Sequence, residues 1–412
     1  MKLFSLFFLL CVVIDCCLQL YLNFRQMRNV KQNIAQVPSA FANSITLEQH
    51  QKAANYTLAK LSLNKLNLIC SALLTFVFSF GGGINYLQSY MQYLSSSALI
   101  NGLALIVVFG IINGLVNLPF SYYQTFCIEQ KFGFNNTTIK LFVSDLVKGL
   151  LISLIIAIPL VYLVLWLLNH LGSLWWLYAW VVLVGFNLLI LLVYPTFIAP
   201  LFNKFLPLAD TELQTKINNL LNDCGFKANG IYVMDGSKRS SHGNAYFTGL
   251  GASKRIVFFD TLLKQLNHDE IIAVLAHELG HFKHKHILQQ MISSFILTFV
   301  SLYLGSILLQ QDWFYTSLQV NQINYASGLI LLSFVLGSIS LPLAPLSSFM
   351  SRKNEFEADN FAKHHTDRQH LINGLIKLYR DNANTLTPDP LYVKFYYSHP
   401  PATERIANLE RN

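Results

Sequence analysis

Seven long apolar stretches interrupt this sequence, and each is long enough to cross a lipid bilayer as a helix. They cover residues 3–23, 66–88, 98–121, 146–168, 174–197, 287–310 and 326–348. A helical crossing needs about 20 predominantly apolar residues. Only 12% of the 412 residues are charged and 53% are hydrophobic, whereas about a quarter of a soluble domain is charged. The sequence therefore predicts a mainly α-helical integral membrane protein with seven spans.

Lysine and arginine are concentrated in every second connection between these stretches. The first connection carries six of them, the third carries two, the fifth carries ten and the C-terminal tail carries nine, whereas the second, fourth and sixth carry none. Basic residues are retained on the cytosolic side of a membrane. The connections 24–65 and 122–145, the fifth connection and the tail are therefore predicted to be cytosolic, with the N-terminus outside. Tryptophans at the predicted outer ends agree with an aromatic belt there; they are Trp166, Trp175, Trp176 and Trp313.

Several other classes of protein are excluded by charge and cysteine usage. The net charge of +8 is spread over connections beside apolar stretches, which favours a lipid bilayer and argues against a nucleic-acid partner. The six cysteines contain no C-x-x-C pair, so a disulfide scaffold and a thiolate zinc site are not expected. No small-residue cleavage site follows the first stretch, which we interpret as an uncleaved span.

The fifth connection, residues 198–286, is the one large insertion. Within it, β-branched and aromatic runs at 230–234 and 255–259 predict strands, and 210–224 has the apolar spacing of a helix. The insertion is therefore predicted to be a small α+β unit. The chain divides into spans one to five (1–197), the insertion (198–286), spans six and seven (287–348) and a C-terminal segment (349–412).

The end of the insertion carries the sequence HELGH at 277–281. Asn267 is a good N-cap ten residues earlier, so the motif is predicted to lie on a helix. Residues at i and i+4 share a helical face, so His277 and His281 are placed to bind one Zn²⁺. Glu278 is then placed to act as general base toward a metal-bound water. This pattern predicts a zinc metalloendopeptidase that acts on peptide or protein substrates.

A hydrolytic zinc site keeps three protein ligands and one open position. The candidates for the third ligand are His284, His286, Glu355, Glu357 and His399. Topology favours Glu355, because the last two spans return the chain to the side from which His281 departs. Glu355 and Asp359 have i, i+4 spacing on a predicted helix, so one carboxylate could bind the metal while Asp359 accepts the free N–H of a ligand histidine.

With these residues the sequence resembles the CAAX prenyl protease type 1 family, membrane-embedded zinc endopeptidases of the gluzincin kind. The resemblance extends over nearly the whole chain. Besides HELGH and EFEAD at 355–359, it includes EQKFGFN at 129–135, PLFNKF at 200–205, SSHGNAYF at 240–247 and SHPP at 398–401.

The resemblance implies a chamber enclosed by the seven helices, with the zinc at its cytosolic end. It supports His277, His281 and Glu355 as zinc ligands and Glu278 as the general base. It also supports Asp359 as the hydrogen-bond acceptor of a ligand histidine. It further implies that Asn244 and Ala245 lie on a strand edge that pairs with substrate, and that His399 and Arg405 stabilise the oxyanion.

The resemblance also implies that substrates are prenylated at a C-terminal cysteine, although no residue pattern demonstrates a lipid pocket. The absence of a lysine-rich tail suggests a bacterial inner membrane, with the endoplasmic reticulum membrane as the alternative. Two other functions stay open: a heat-shock membrane protease, which is a shorter relative, and a non-enzymatic scaffold with a vestigial metal site. The natural substrate and the oligomeric state do not follow from the sequence.

Overall fold

A computed structural model describes residues 3–248 and 254–411. In that part of the chain, seven helical segments are long and apolar enough to cross a membrane, as predicted. These segments are Leu3–Gln32, Leu47–Ser79, Ala98–Phe132, Ile139–His170, Gly172–Leu201, His286–Leu308 and Tyr325–His365. The mainly α-helical membrane fold is therefore confirmed.

The helices of the first four spans extend beyond the predicted apolar stretches at one end or both, whereas the helix of the fifth lies within its stretch. They are α1 (Leu3–Gln32), α2 (Leu47–Ser79), α3 (Gly83–Met91), α4 (Ala98–Tyr123), α5 (Gln130–Phe132), α6 (Ile139–His170) and α7 (Trp175–Val193). At 1.5 Å per residue, α1 and α2 are about 45 and 50 Å long, whereas a hydrocarbon core is about 30 Å thick. Both helices therefore project from the bilayer, and most of the first connection is helical.

The second span ends earlier than predicted. The apolar stretch 66–88 is divided, because α2 ends at Ser79 and the separate helix α3 begins at Gly83. Three consecutive glycines lie at the break, and Gly82 has a φ of 73°. That backbone conformation suits glycine and interrupts a right-handed helix.

In its described residues, the insertion contains a four-stranded mixed sheet and three α-helices. In chain order they are β1 (Phe205–Pro207), α8 (Thr211–Asp223), β2 (Ile231–Met234), β3 (Ala245–Thr248), β4 (Arg255–Phe259), α9 (Asp260–Gln265) and α10 (His268–Lys283). The strand order is β1-β2-β4-β3, in which only the β2–β4 pair is parallel. The predicted strands are β2 and β4, and the predicted helix is α8. The sequence did not identify β1 or β3.

One hydrophobic core joins the sheet to α8 and α10. Helix α8 buries Leu213, Ile217, Leu220 and Leu221, which share one face by their helical spacing. They belong to the same cluster as Phe258 of β4 and Leu275 and Leu279 of α10. Each fully buried side chain of this kind contributes about 1.5–3 kcal/mol. This packing holds one face of α10 and leaves the opposite face for the histidines of HELGH.

The C-terminal part returns the chain to the insertion. It consists of α11 (His286–Leu308), α12 (Asp312–Ser317), α13 (Tyr325–Ser340), α14 (Ala344–His365), α15 (Arg368–Asp381), α16 (Pro390–Tyr396) and α17 (Ala402–Glu410). Helix α14 packs along α10. At the end of α1, Arg25 forms an ion pair of 2.9 Å with Asp389, the N-cap of α16. The end of α1 therefore lies on the same side as HELGH.

Candidate metal centre

The HELGH helix has a well-defined start. Asn267 accepts a hydrogen bond from the backbone N–H of Glu270, whose side chain accepts one from the backbone N–H of Asn267, both at 2.9 Å. This capping box satisfies two donors that would otherwise lack partners. Because the helix is regular from this point, His277 and His281 lie one turn apart on one face.

Three potential ligand groups converge on one point between α10 and α14. The Nε2 atoms of His277 and His281 are 3.2 Å apart. The carboxylate of Glu355 completes the group, at 3.4 Å from His277 Nε2 and 3.3 Å from His281 Nε2. Donor atoms around a tetrahedral zinc with bonds of about 2.05 Å are separated by about 3.3 Å. The spacing of these groups therefore fits a zinc ion.

The environment of Glu355 points to the same conclusion. Its side chain is buried, and within residues 3–248 and 254–411 its Oε2 atom has no hydrogen-bond partner. The guanidinium of Arg405 lies 3.4 Å from this oxygen without forming a hydrogen bond, so a metal held by the histidines would give the buried carboxylate a bond that it otherwise lacks. Two imidazoles and one carboxylate form a donor set typical of hydrolytic zinc. The residues present therefore fit a divalent metal of that kind.

Asp359 orients the first histidine. Its Oδ1 atom lies 2.8 Å from His277 Nδ1, so His277 donates from Nδ1 and leaves the Nε2 lone pair free. Burial and the charge of Arg405 lower the pKa of His277, but Asp359 and Glu355 more than offset this and raise it to about 9. The carboxylates around this ring therefore stabilise a positive charge at the ring, either a second ring proton or a cation bound at Nε2.

A second pair of side chains orients His281, and sequence reasoning missed this arrangement. His281 Nδ1 lies 2.9 Å from Nδ1 of the buried His286, whose Nε2 lies 3.1 Å from Glu357 Oε2. If His281 offers Nε2 to a metal, it donates from Nδ1 to His286, and His286 donates to Glu357. His286 and Glu357 thus form a hydrogen-bonded chain that ends on the candidate ligand His281. The sequence had offered them only as possible third ligands.

Arg405 is buried against the carboxylates rather than exposed on its helix. It donates to both oxygens of Asp359, at 2.9 and 2.5 Å, and its Nη1 atom lies 3.4 Å from Glu355 Oε2. His399 approaches from the other side, with Nε2 3.3 Å from Glu355 Oε1 and a side chain that is 63% exposed. Both residues line the cavity beside the metal group. The structure thus brings them to the site that the resemblance implied.

Glu278 lies one step round α10 from His277 and is partly exposed. Among the described residues, its carboxylate forms no hydrogen bond or ion pair. It is therefore free to accept a proton, unlike the two carboxylates of α14. His284, another candidate ligand, is exposed and stacks on His286 at a centroid distance of 5.6 Å.

A cavity of about 970 Å³ opens beside this group. It extends between α2, α4, the insertion and the C-terminal segment, and its walls are rich in amide and phenol groups, including Asn64, Asn117, Asn244 and Tyr379. Such walls are suited to an extended peptide, whose backbone needs hydrogen bonds. The cavity is the part of the helical chamber that reaches the metal group.

The strand edge that the resemblance implied lies at this cavity. Among the described residues, β3 is the last strand of the sheet and pairs with β4 on one side only. Phe259 N–H donates to Asn244 O at 2.9 Å. Because bonded and non-bonded pairs alternate in an antiparallel ladder, the backbone groups of Ala245 face the open edge. The Ala245 N–H donates a hydrogen bond to the side-chain Oδ1 of Asn244 at 2.8 Å.

A polar cluster supports the segment before β3. Glu129, from the EQKFGFN block, accepts hydrogen bonds from Tyr56 Oη and Gln124 Nε2, both at 2.6 Å. His242 Nε2 lies 3.5 Å from the other oxygen of Glu129. Asn382 of the C-terminal segment accepts from Gly243 N–H at 3.1 Å. The membrane helices and α15 thus meet at the residues that precede Asn244.

Comparisons with known proteins agree with this geometry. Residues 26–204 match the model of the CAAX prenyl protease N-terminal region with five membrane helices, and residues 207–412 match that of peptidase family M48. The chain is 35% identical to CAAX prenyl protease 1 homolog of Dictyostelium discoideum and 33% identical to CAAX prenyl protease 1 of Saccharomyces cerevisiae. These matches cover 95% of this chain and 93% and 91% of those proteins.

A solved structure extends the likeness to the fold. The crystal structure of Ste24p from S. mikatae superposes with a TM-score of 0.93 at 34% identity, covering 100% of this chain and 99% of that one. The fold and site therefore define a multi-pass membrane metalloendopeptidase. Within that class, the chain belongs to peptidase family M48, in its CAAX prenyl protease branch. The resemblance and the enzyme class predicted from the sequence are confirmed.

Proposed function

We propose that the protein is a zinc endopeptidase that processes prenylated proteins with a C-terminal CAAX sequence. The observation that supports it most directly is the convergence of His277, His281 and Glu355 on one point. These three residues would hold the zinc. When bound, zinc would polarise a water molecule and the substrate carbonyl and bring the pKa of the water near neutrality.

Glu278 is proposed to move the proton. It takes a proton from the water as the water oxygen bonds to the carbonyl carbon of the scissile peptide. The C–N bond then breaks, and Glu278 delivers that proton to the leaving nitrogen. Its freedom from other partners supports this role. His399 and Arg405 are proposed to stabilise the developing oxyanion, because both present N–H donors at the metal group.

The substrate is proposed to bind as an added strand on β3. The N–H and C=O of Ala245 point away from β4 and suit a pair of hydrogen bonds to an extended peptide. A substrate carbonyl would take the place of the Asn244 side chain on the Ala245 N–H. This arrangement supports recognition of backbone rather than sequence, with the cavity beside it to receive the remainder of the substrate.

The substrate class rests on the relatives, which carry the name CAAX prenyl protease 1. The site and the C-terminal segment are proposed to face the cytosol, and the N-terminus the opposite side, since the basic connections adjoin the metal group. A bacterial inner membrane is proposed first, with the endoplasmic reticulum membrane as the alternative. A reporter fused at Asn412 should report cytosol; an external signal contradicts this orientation.

Cleavage of one synthetic peptide tests the substrate class. The peptide ends in cysteine, two aliphatic residues and a final residue, and is prepared with and without a farnesyl thioether on the cysteine. The wild-type protein should release the C-terminal tripeptide from the farnesylated form faster, and the Glu278→Gln variant should release neither. Equal rates on both peptides contradict the prenyl requirement, and cleavage by the variant contradicts the proposed base.

A further inference from the structure

A groove of about 480 Å³ lies between α1 and α2, away from the metal group. Its wall on α1 is a single face of the helix, because Leu20, Phe24, Arg28 and Lys31 follow at spacings of four, four and three residues. The face changes from apolar to cationic along the helix. On α2, Lys65 adds a third cation.

The groove spans the boundary between hydrocarbon and headgroups. Counted from Leu3, about 20 residues at 1.5 Å each fill the hydrocarbon core, to about Leu22. Leu20 therefore lies within the core, and Phe24, which is 61% exposed, lies at its border. Arg28 and Lys31 lie roughly 9 and 13 Å beyond it, at the level of phosphates. The Arg25–Asp389 ion pair identifies this as the leaflet on the side of the metal group.

The three cations differ from their neighbour Arg25 in having no counter-charge. Arg25 is paired with Asp389, whereas Arg28, Lys31 and Lys65 are exposed and form no ion pair or hydrogen bond with any described residue. The buried Asn23, which also lines the groove, donates to Leu61 O but leaves its Oδ1 atom without a partner. The groove thus has unpaired positive charge toward the headgroups and apolar surface toward the hydrocarbon core.

We propose that this groove binds an anionic glycerophospholipid of that leaflet. The phosphodiester and any further headgroup charge would lie among Arg28, Lys31 and Lys65, and one acyl chain would lie along Leu20 and Phe24. Clusters of cations between helices at a membrane surface bind anionic headgroups in this way. A prenylated peptide carries no phosphate and would leave the three cations without a partner.

Lipid binding by the purified full-length chain in detergent tests this proposal. Dissociation constants are measured by native mass spectrometry for phosphatidylglycerol and phosphatidylcholine with identical acyl chains. Each surface cation near an anionic headgroup contributes about a fivefold gain in affinity, so three should favour phosphatidylglycerol by about a hundredfold. Soluble glycerol phosphate should not compete, because half of the groove is apolar.

Two matched triple variants complete the test. Arg28→Gln with Lys31→Gln and Lys65→Gln should abolish the preference for phosphatidylglycerol, whereas Arg28→Lys alone should retain it. The control, Lys140→Gln with Lys204→Gln and Lys227→Gln, removes the same charge from exposed side chains outside the groove and should leave the preference intact. Unchanged zinc content shows that each variant is folded.

Several results overturn the proposal. Equal affinity of the wild type for both lipids does so, as does an equal loss in the control variant. Displacement of phosphatidylglycerol by a farnesylated peptide would assign the groove to substrate instead. The readout is lipid binding rather than cleavage, so the outcome does not depend on the proposed catalytic roles.

Discussion

Gly280 of α10 lies directly against Ala358 of α14. A Cβ atom on Gly280 would be only 2.8 Å from Ala358 Cα, 3.1 Å from its carbonyl oxygen and 3.0 Å from Phe361 Cβ. The two backbones therefore approach as closely as a glycine permits. Glu355 lies one turn before Ala358 on the same helix, so this close packing sets the distance from Glu355 to the two histidines.

Gly280→Ala should separate α10 from α14 and impair metal binding. The contact is with backbone, which cannot rotate away as a side chain could, and overpacking of this kind costs about 1–3 kcal/mol. Zinc per chain, measured by elemental mass spectrometry after dialysis against a weak chelator, should fall well below one, together with the melting temperature.

Gly374→Ala is a matched control on α15, which packs on the same helix. A Cβ there would lie 3.5 Å from Val274 Cγ2, an ordinary contact. Alanine is the better helix former by about 1 kcal/mol, so this variant should keep its zinc and be unchanged or slightly more stable. Full zinc content in Gly280→Ala would contradict the role of close packing.

Glu278→Gln should separate metal binding from catalysis. The amide keeps the size of the side chain but cannot accept the proton, and positioned bases contribute about 10²–10⁴-fold to rate. Zinc content should remain at one per chain while kcat falls by that factor. Glu212→Gln, at an exposed position of α8, should leave both unchanged. If Glu278→Gln instead loses its zinc, the residue is a ligand and not the base.

His286→Leu should weaken metal binding through His281. The substitution removes the only described partner of His281 Nδ1 apart from the metal group itself, and loss of such a partner typically costs 10–100-fold in affinity. Zinc affinity is measured by competition with a fluorescent chelator, which does not depend on cleavage. The control is His284→Leu, which removes an exposed ring with no hydrogen bond to a ligand. Equal affinities in the two variants would contradict the orienting role.

The metal centre shows which of its features can be predicted from the sequence and which cannot. The capping residue and the i, i+4 spacing of HELGH are local, and Glu355 follows from an even number of crossings after His281. His286 could not be read in the same way, because α10 ends and Lys285 adopts a left-handed φ of 59° before α11 begins. A helical wheel continued through that break places His286 on the wrong face.

The edge strand was missed for a related reason. Gly243 and Asn244 precede β3 and Gly249 follows it in the sequence, but its four residues are too few to show an alternating pattern, and their pairing with β4 is a tertiary contact. The role of Asn244 and Ala245 was therefore available only through the family resemblance. The three glycines after α2 are, in contrast, a local signal in the sequence. They did not divide the predicted span because apolar residues continue on both sides of them.

The Arg25–Asp389 ion pair should make stability depend on pH. Burial raises the pKa of Asp389, but hydrogen bonds from Arg25 and from the N–H groups of Tyr392 and Leu391 more than offset this and lower it. A carboxylate with a lowered folded-state pKa stabilises the protein above its unfolded pKa of about 3.9. That stability is lost as the pH falls through the folded-state value.

Asp389→Asn should therefore lower the melting temperature at pH 7, where hydrogen bonds to a charged group contribute about 1.5–3 kcal/mol. The difference from the wild type should shrink as the pH falls below about 4. Thermal unfolding in detergent across that range gives the measurement. Asp223→Asn, at an exposed carboxylate, is the control. A difference that is constant with pH would show that the pair does not act through charge.

Glu129→Gln should affect substrate binding while leaving the metal in place. Glu129 accepts hydrogen bonds from Tyr56 and Gln124 and lies beside His242. His242 is two residues before Asn244 in the chain. Neutralising it weakens the attachment of the β3 edge to the membrane helices. Because hydrogen bonds to a charged group contribute about 1.5–3 kcal/mol, KM for the peptide should rise roughly tenfold or more, with zinc content unchanged. Glu48→Gln, at an exposed site near the start of α2, should match the wild type. A fall in kcat with unchanged KM would instead place Glu129 in the chemical step, which its position outside the ligand group does not favour.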